Sequence, residues 1–477
     1  MAASGCTTPF GPSYTIEKQR IEVTFSPDAP DRVAVRAWYQ MKNTGSQPLE
    51  EMSVKLPSEK EFPPRNVRVE WRGKPLASPS NPSDKGVVHV PLGTRWSRGD
   101  RSEFTVSYEL EAALVKPASP AQSGPAVFLP SSGWYPTLVA PQGSFSSGGN
   151  SPAKWDLVVT APQDYHVHAS GRALGLDHSS GKNKASVSLR FEQAELNDFG
   201  IFVAAGPYVE QQITTSIGKV IFWSARPVPN SRASEISERI ASDAKYFASE
   251  FGRKETIDEP VWIIECPPPP PSNPPAQFQQ GCRTEPLSAI VPDRFLAPDA
   301  PESMYVPVDF QLAETWFGFS LSDSPEDSPW PILAARDYAA EALLASRDAA
   351  SRGATIKRLL NILDSYGPEK SNPLIAIRRE DSSMEQAQAR TRSQLFFFAL
   401  EDRCGSANLH HALARLIRIL HGQTWGINDL RSAAEAECGT DLADFFRQWL
   451  NRPGIPGDFR ARYAGSTVAA PKQPGQK

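Results

Sequence analysis

The hydrophobic pattern of this chain changes character partway along. From Tyr14 to about Tyr208 apolar residues recur at every second position in short runs. Arg32 to Asn43 (R-V-A-V-R-A-W-Y-Q-M-K-N) alternates and stops at Thr44-Gly45, a turn signal. Val87–Val90, Glu103–Leu110, Trp155–Val159 and Ser186–Phe191 are further short strands, with Gly, Pro, Asn or Ser between them. Such spacing without helical periods predicts an antiparallel β-sandwich or saddle. A strand at Val220 (V-I-F-W) then opens a different pattern. Ala233–Phe251 is a helix with Ile236, Ile240, Phe247 and Phe251 on one face and Gly252 as its stop. Val261–Ile264 is a buried strand leading into Cys266 and the proline block Pro267–Pro271, read as a stiff surface connector. Val308–Ser320 starts a helix whose stripe is Leu312, Ala313, Trp316 and Phe317. Helices follow at Ala335–Ser346, Ala354–Leu363, around Leu395–Leu400, at Ser406–His421, from a capping Asn428 to Glu437, and at Asp441–Leu450.

The predicted fold class is therefore α+β and multidomain. A flexible N-terminus (1–13) precedes an N-terminal β domain (14–210), a mixed α/β region (211–368), a helical C-terminal domain (369–463) and a disordered tail (464–477).

Five patches within this frame resemble one family. V-D-F-Q-L-A-E-T-W-F-G, beginning at Val308, resembles the L-A-H-E-x-x-H-x-W-F-G helix of the gluzincin aminopeptidases, the membrane alanyl aminopeptidase family. W-P-I-L-A-A-R-D-Y (Trp330–Tyr338) resembles that family's W-L-N-E-G-F-A-x-Y. D-L-A-D-F-F-R-Q-W-L-N-R-P-G-I-P, from Asp441, is similar to its closing helix. Lys154–Gly171, ending in A-S-G, and Asp198–Tyr208 resemble two strands of its N-terminal domain. The resemblance implies a β-sandwich-like domain, a thermolysin-like α/β domain and a helical domain.

It also implies a zinc site, and here the sequence departs from the pattern. In H-E-x-x-H two His one helical turn apart hold the metal and the Glu activates its water. Phe310 stands at the first His, Gln311 at the Glu and Glu314 at the second His. The third ligand lies nineteen positions beyond the second His, where this chain has Leu333. Arg390 stands where the family's transition-state Tyr is matched. An amide takes up no proton near neutral pH, so Gln311 is no general base. Glu285 is the candidate for the family's Glu that holds a substrate's free amine; its solvated alternative stays open. These substitutions imply a pseudoenzyme without zinc, in which Phe310 and Leu333 pack as a dry core. The expected function is peptide or protein binding, or scaffolding, by an aminopeptidase-like protein. The alternative is an active zinc aminopeptidase with displaced ligands.

Composition narrows the remaining classes. The 477 residues hold 40% apolar and 22% charged residues at a net charge of −4, which offers no field for nucleic acid. No apolar run reaches the roughly 18 residues of a membrane span. The 45 prolines, nearly twice the usual share of about 5%, put much of the chain in loops and edges. His166 and His168, two apart on a strand, share a face, but with no third ligand visible they read as surface histidines. G-x-S-x-G and G-x-G-x-x-G are absent. Ala3–Cys6 (A-S-G-C) looks like the end of a lipoprotein cleavage site, as in bacterial exported proteins, with Cys6 as lipid anchor; a cytoplasmic chain is the other reading. Export predicts the pairs Cys266–Cys282 and Cys404–Cys438, and reduced buried thiols are the alternative.

Overall fold

A computed structural model describes residues 13–26, 29–57, 62–76, 87–111, 113–115, 126–129, 134–139, 155–176, 186–193, 201–252, 260–266, 288–317, 321–323, 331–366, 372–377, 383–420 and 423–464. The chain forms two compact units, residues 1–238 with 258–311 and residues 239–257 with 312–477. The order along the chain is N-terminal β sheets, a middle α/β region and C-terminal helices.

The first unit begins with β1 (Tyr14–Ser26), β2 (Ala29–Asn43), β3 (Leu49–Lys55), β4 (Arg65–Trp71), β5 (Lys74–Pro75), β6 (Val87–Trp96) and β7 (Arg101–Glu111). It continues with β8 (Ala113–Val115), β9 (Ala126–Leu129), β10 (Thr137–Val139), β11 (Trp155–Pro162), β12 (His166–Ala169), β13 (Arg172–Leu176), β14 (Ser186–Gln193) and β15 (Val203–Gly206). An eight-stranded sheet runs in the order β13-β14-β11-β1-β2-β7-β4-β5, antiparallel except for the parallel pair β1 and β11. A three-stranded sheet (β10-β3-β6) and a four-stranded one (β12-β15-β9-β8) complete the β part.

Alternation decides which face is buried. Val33, Val35, Ala37, Tyr39 and Met41 of β2 and Phe104, Val106, Tyr108 and Leu110 of β7 all enter one core. That core also takes Met52, Val54, Val88 and Trp96 from the second sheet and Val127, Leu129 and Val203 from the third. Buried apolar area of this kind is the main stabilising contribution to the unit. The A-S-G segment, Ala169 to Gly171, connects β12 to β13. Gly171 has φ +91°, and a Cβ there would lie 2.7 Å from the Glu192 carbonyl oxygen, so only glycine fits.

A second four-stranded sheet, β16-β17-β18-β19, follows in the same unit: β16 (Val209–Thr215), β17 (Gly218–Ser224), β18 (Val261–Cys266) and β19 (Ser288–Pro292). The strands β17, β18 and β19 run parallel, and β19 is an edge. Ile221, Trp223, Ile264 and Ile290 from this sheet share a cluster with Phe128, Phe202 and Tyr208.

Among the described residues the α-helices are α1 (Asn230–Phe251), α2 (Val306–Phe317), α3 (Pro331–Arg347), α4 (Ala349–Ser365), α5 (Ser383–Cys404), α6 (Ser406–Ile419), α7 (Ile427–Cys438), α8 (Ala443–Leu450) and α9 (Gly457–Ala464). A short parallel pair, β20 (Leu321–Asp323) with β21 (Gln423–Trp425), lies in the second unit. The α1 stop falls at Gly252, with φ +76°. Pro331 opens α3, where its missing N–H costs nothing. The cap of α7 corrects the sequence reading. Gly426, not Asn428, is the N-cap, and its N–H donates to the Asp429 carboxylate at 2.8 Å. That carboxylate reaching back over the first turn satisfies the helix start two residues earlier than the Asn would. In α8, Phe446, Trp449 and Leu450 are buried, and Phe446 meets Phe396 of α5 edge-on at 5.2 Å. Cys404 and Cys438, at the ends of α5 and α7, form a disulfide.

Candidate functional site

The helix α2 forms where the sequence placed it, because Leu312, Ala313, Trp316 and Phe317 are all buried on one stripe. Phe310 and Glu314 are one turn apart, so they share the next face round. Gln311 is half-buried, and its side-chain oxygen accepts the backbone N–H of Ile290 at 3.0 Å. Ile290 lies on the edge strand β19, whose alternate N–H groups point away from β18. The Gln311 amide thus caps one of those edge donors. A neutral carbonyl suits that task, and it holds no proton to exchange.

Glu314 is buried, and its carboxylate takes a hydrogen bond from the Arg336 guanidinium. Arg336 is buried too, on α3, and its Nε and Nη2 donate to Asp337 Oδ1 at 2.9 and 2.7 Å. Arg390 of α5 donates to the same carboxylate, Nε to Oδ2 at 2.7 Å and Nη2 to Oδ1 at 3.1 Å. One turn on, Gln394 Nε2 donates to Asp337 Oδ2 at 2.5 Å. Two carboxylates and two guanidinium groups thus form a cluster without net charge. Burial pushes the Asp337 pKa up, but the positive charges of Arg336 and Arg390 outweigh it and hold the group at about 2. Arg336 remains protonated: burial opposes its charge, and Asp337 and Glu314 more than compensate. Deep burial of such a cluster is tolerated because every charge has a charged partner.

This arrangement corrects the expectation of an apolar plug. Phe310 and Leu333 are both half-buried, not core residues. Leu333 precedes Arg336 and Asp337 by three and four positions on α3, and it is those charged residues that are buried. The signal was present in A-A-R-D-Y as a charged pair one turn beyond Leu333. Two adjacent charges among the apolar positions of a buried helix need buried partners, and Glu314 and Arg390 supply them.

The residues at the matched ligand positions do not make a zinc donor set. Phe310 and Leu333 have no donor atom, and the Glu314 carboxylate is already bonded to a guanidinium. Among the described residues, no group of three or more His, Cys, Asp and Glu is placed to hold a metal ion.

The histidines sort differently from the surface reading. His166 is half-buried, its Nδ1 3.7 Å from a Glu210 carboxylate oxygen. His168 stacks on Trp262 at 4.6 Å, meets Trp223 and Phe202 edge-on, and bonds Ser288 Oγ through Nε2 at 2.9 Å. It is half-buried, with its ring enclosed by these aromatics, and burial pushes its pKa down to about 3. His410 lies between Glu250, 2.6 Å from Nδ1, and the Tyr338 hydroxyl, 3.2 Å from Nε2. Glu285, Cys6 and Cys282 lie outside the described residues, and the proposed Cys266–Cys282 pair with them.

No family model and no curated protein matches this sequence. Solved structures do. An M1 zinc metallopeptidase from Deinococcus radiodurans superposes with a TM-score of 0.55 at 17% identity, over 93% of this chain and 95% of that one. A mutant of it bound to a Tyr-Ser-Ala substrate matches over the same shares, with the same score and identity. Yeast LTA4 hydrolase in complex with bestatin gives a TM-score of 0.62 at 14% identity, over 93% of this chain and 68% of that one. The chain has the fold of the M1 zinc metallopeptidases.

Proposed function

We propose that this protein is a non-catalytic relative of the M1 zinc metallopeptidases that binds a peptide or protein partner. The observation that carries the reading is the bond between Glu314 and Arg336. A residue at a matched metal-ligand position is committed to an internal cation. Gln311 supports the same reading, since its amide serves the β19 backbone instead of activating water. The working parts are then a β domain over 14–210, a pseudo-catalytic region over 211–368 and a helical region over 369–463. The Cys404–Cys438 disulfide supports an oxidising compartment.

Peptide is the favoured ligand class because a solved relative of this fold is bound to a Tyr-Ser-Ala substrate. Backbone pairing at a sheet edge needs no metal. At β19 the Ile290 donor is already taken, so such pairing would use the rest of that edge. The resemblance gives Glu285 the role of holding a free amino terminus through a charge-assisted bond. Two assays on the purified chain test this. No hydrolysis of aminoacyl substrates above blank is expected. In a peptide-library pull-down, peptides with free amino termini should be enriched by wild type and lost with Glu285→Gln. Hydrolysis proportional to protein and abolished by a chelator would establish the displaced-ligand enzyme instead. Equal enrichment of acetylated peptides by both proteins would remove the role of Glu285.

A further inference from the structure

The pseudoenzyme reading rests on missing ligands, but the cluster around Glu314 goes further. Residue 314 is a matched metal-ligand position, and its carboxylate is bonded to one cationic group. In this chain that group is the Arg336 guanidinium. We propose that Arg336 is a built-in substitute for the metal cation, so that zinc is excluded by an internal positive charge as well as by absent ligands. The inference rests on the non-catalytic reading and adds a cause to it.

Three observations converge. Arg336 is buried, so its charge is not dissipated by solvent. It binds two carboxylates at once, Glu314 and Asp337, as a divalent metal bound by several carboxylates does. Asp337 is held in turn by Arg390 and Gln394, which fixes the carboxylate that the guanidinium binds. The four charges cancel, and a second cation entering beside Arg336 would leave this buried group with uncompensated positive charge. A planar guanidinium matches paired carboxylate oxygens with directed N–H bonds, which a lysine ammonium would not reproduce.

The test restores the ligands with and without the guanidinium. Phe310→His, Glu314→His and Leu333→Glu together supply the three-ligand set. That triple variant, dialysed against zinc and washed, should stay empty by elemental analysis and show no zinc-induced rise in melting temperature. Adding Arg336→Ala, or Arg336→Gln to keep a bond to Asp337, should let the protein take up about one zinc per chain. Circular dichroism follows folding in every variant, and the Gln form provides the readout where the Ala form does not fold. Stoichiometric zinc in the triple variant with Arg336 intact overturns the proposal. So does failure of both Arg336 variants to bind zinc. Zinc in the unmodified protein would instead sink the non-catalytic reading itself.

Discussion

At the scale of single residues, His168 shows what burial does to a group that composition made look ordinary. H-V-H on a strand reads as two solvent-facing imidazoles, and only the arrival of Trp223 and Trp262 from a later sheet covers the ring of one of them. No local pattern carries that information. The consequence is a pH dependence of stability. Unfolded, His168 takes a proton near the usual value of about 6.5; folded, burial holds its pKa down to about 3. The unfolded state therefore binds the extra proton throughout the interval, and stability falls as pH drops from about 6.5 toward 3. The slope is about 1.4 kcal/mol per pH unit at most. The residue keeps partial solvent contact, which relieves some of the penalty and makes the total loss smaller than the full interval would give. In thermal melts from pH 7 to pH 4, wild type should lose stability more steeply than His168→Gln, which keeps a hydrogen bond to Ser288 and does not titrate. Parallel curves for the two proteins would contradict this.

At the scale of elements, strands were legible where one face is buried, as in β2 and β7, because period two is enforced by a shared core. The helix α2 was legible for the same reason at period 3.6, and α8 through its F-F-R-Q-W-L run. What stayed hidden was pairing at a distance. Nothing local announces that β1 pairs parallel with β11, or that α5 delivers Arg390 and Gln394 to a carboxylate on α3. The same limit hid the ionic cluster and produced the expectation of an apolar plug at Phe310 and Leu333. One distant link was legible as an alternative: the cysteines at 404 and 438 do pair, across a separation of 34 residues. Closing a loop of that size removes unfolded-state entropy worth about 4 kcal/mol in the chain-entropy model. Replacing both cysteines, Cys404→Ser with Cys438→Ser, should lower the melting temperature by roughly 10 °C. A double variant that melts with wild type in calorimetry would show that the bridge adds no stability.

At the scale of the whole molecule, the fold and the metal-ligand positions rest on different sets of residues. Sequence identity of 17% to the Deinococcus enzyme goes with a shared fold over 93% of this chain. Fold is set by many distributed apolar positions, each replaceable by a similar one, whereas a metal centre depends on a few donor atoms that have no substitutes. Those few positions are where the resemblance failed, and the structure puts a guanidinium against one of them. On the proposed non-catalytic reading, the metallopeptidase fold here carries an internal ionic cluster in place of zinc chemistry. The most direct test of that reading is the zinc content of the unmodified protein, purified with zinc present and then dialysed. A small fraction of an equivalent is expected, well below the one metal per chain of a catalytic site. About one zinc per chain, retained through dialysis and lost on Glu314→Ala, would contradict it.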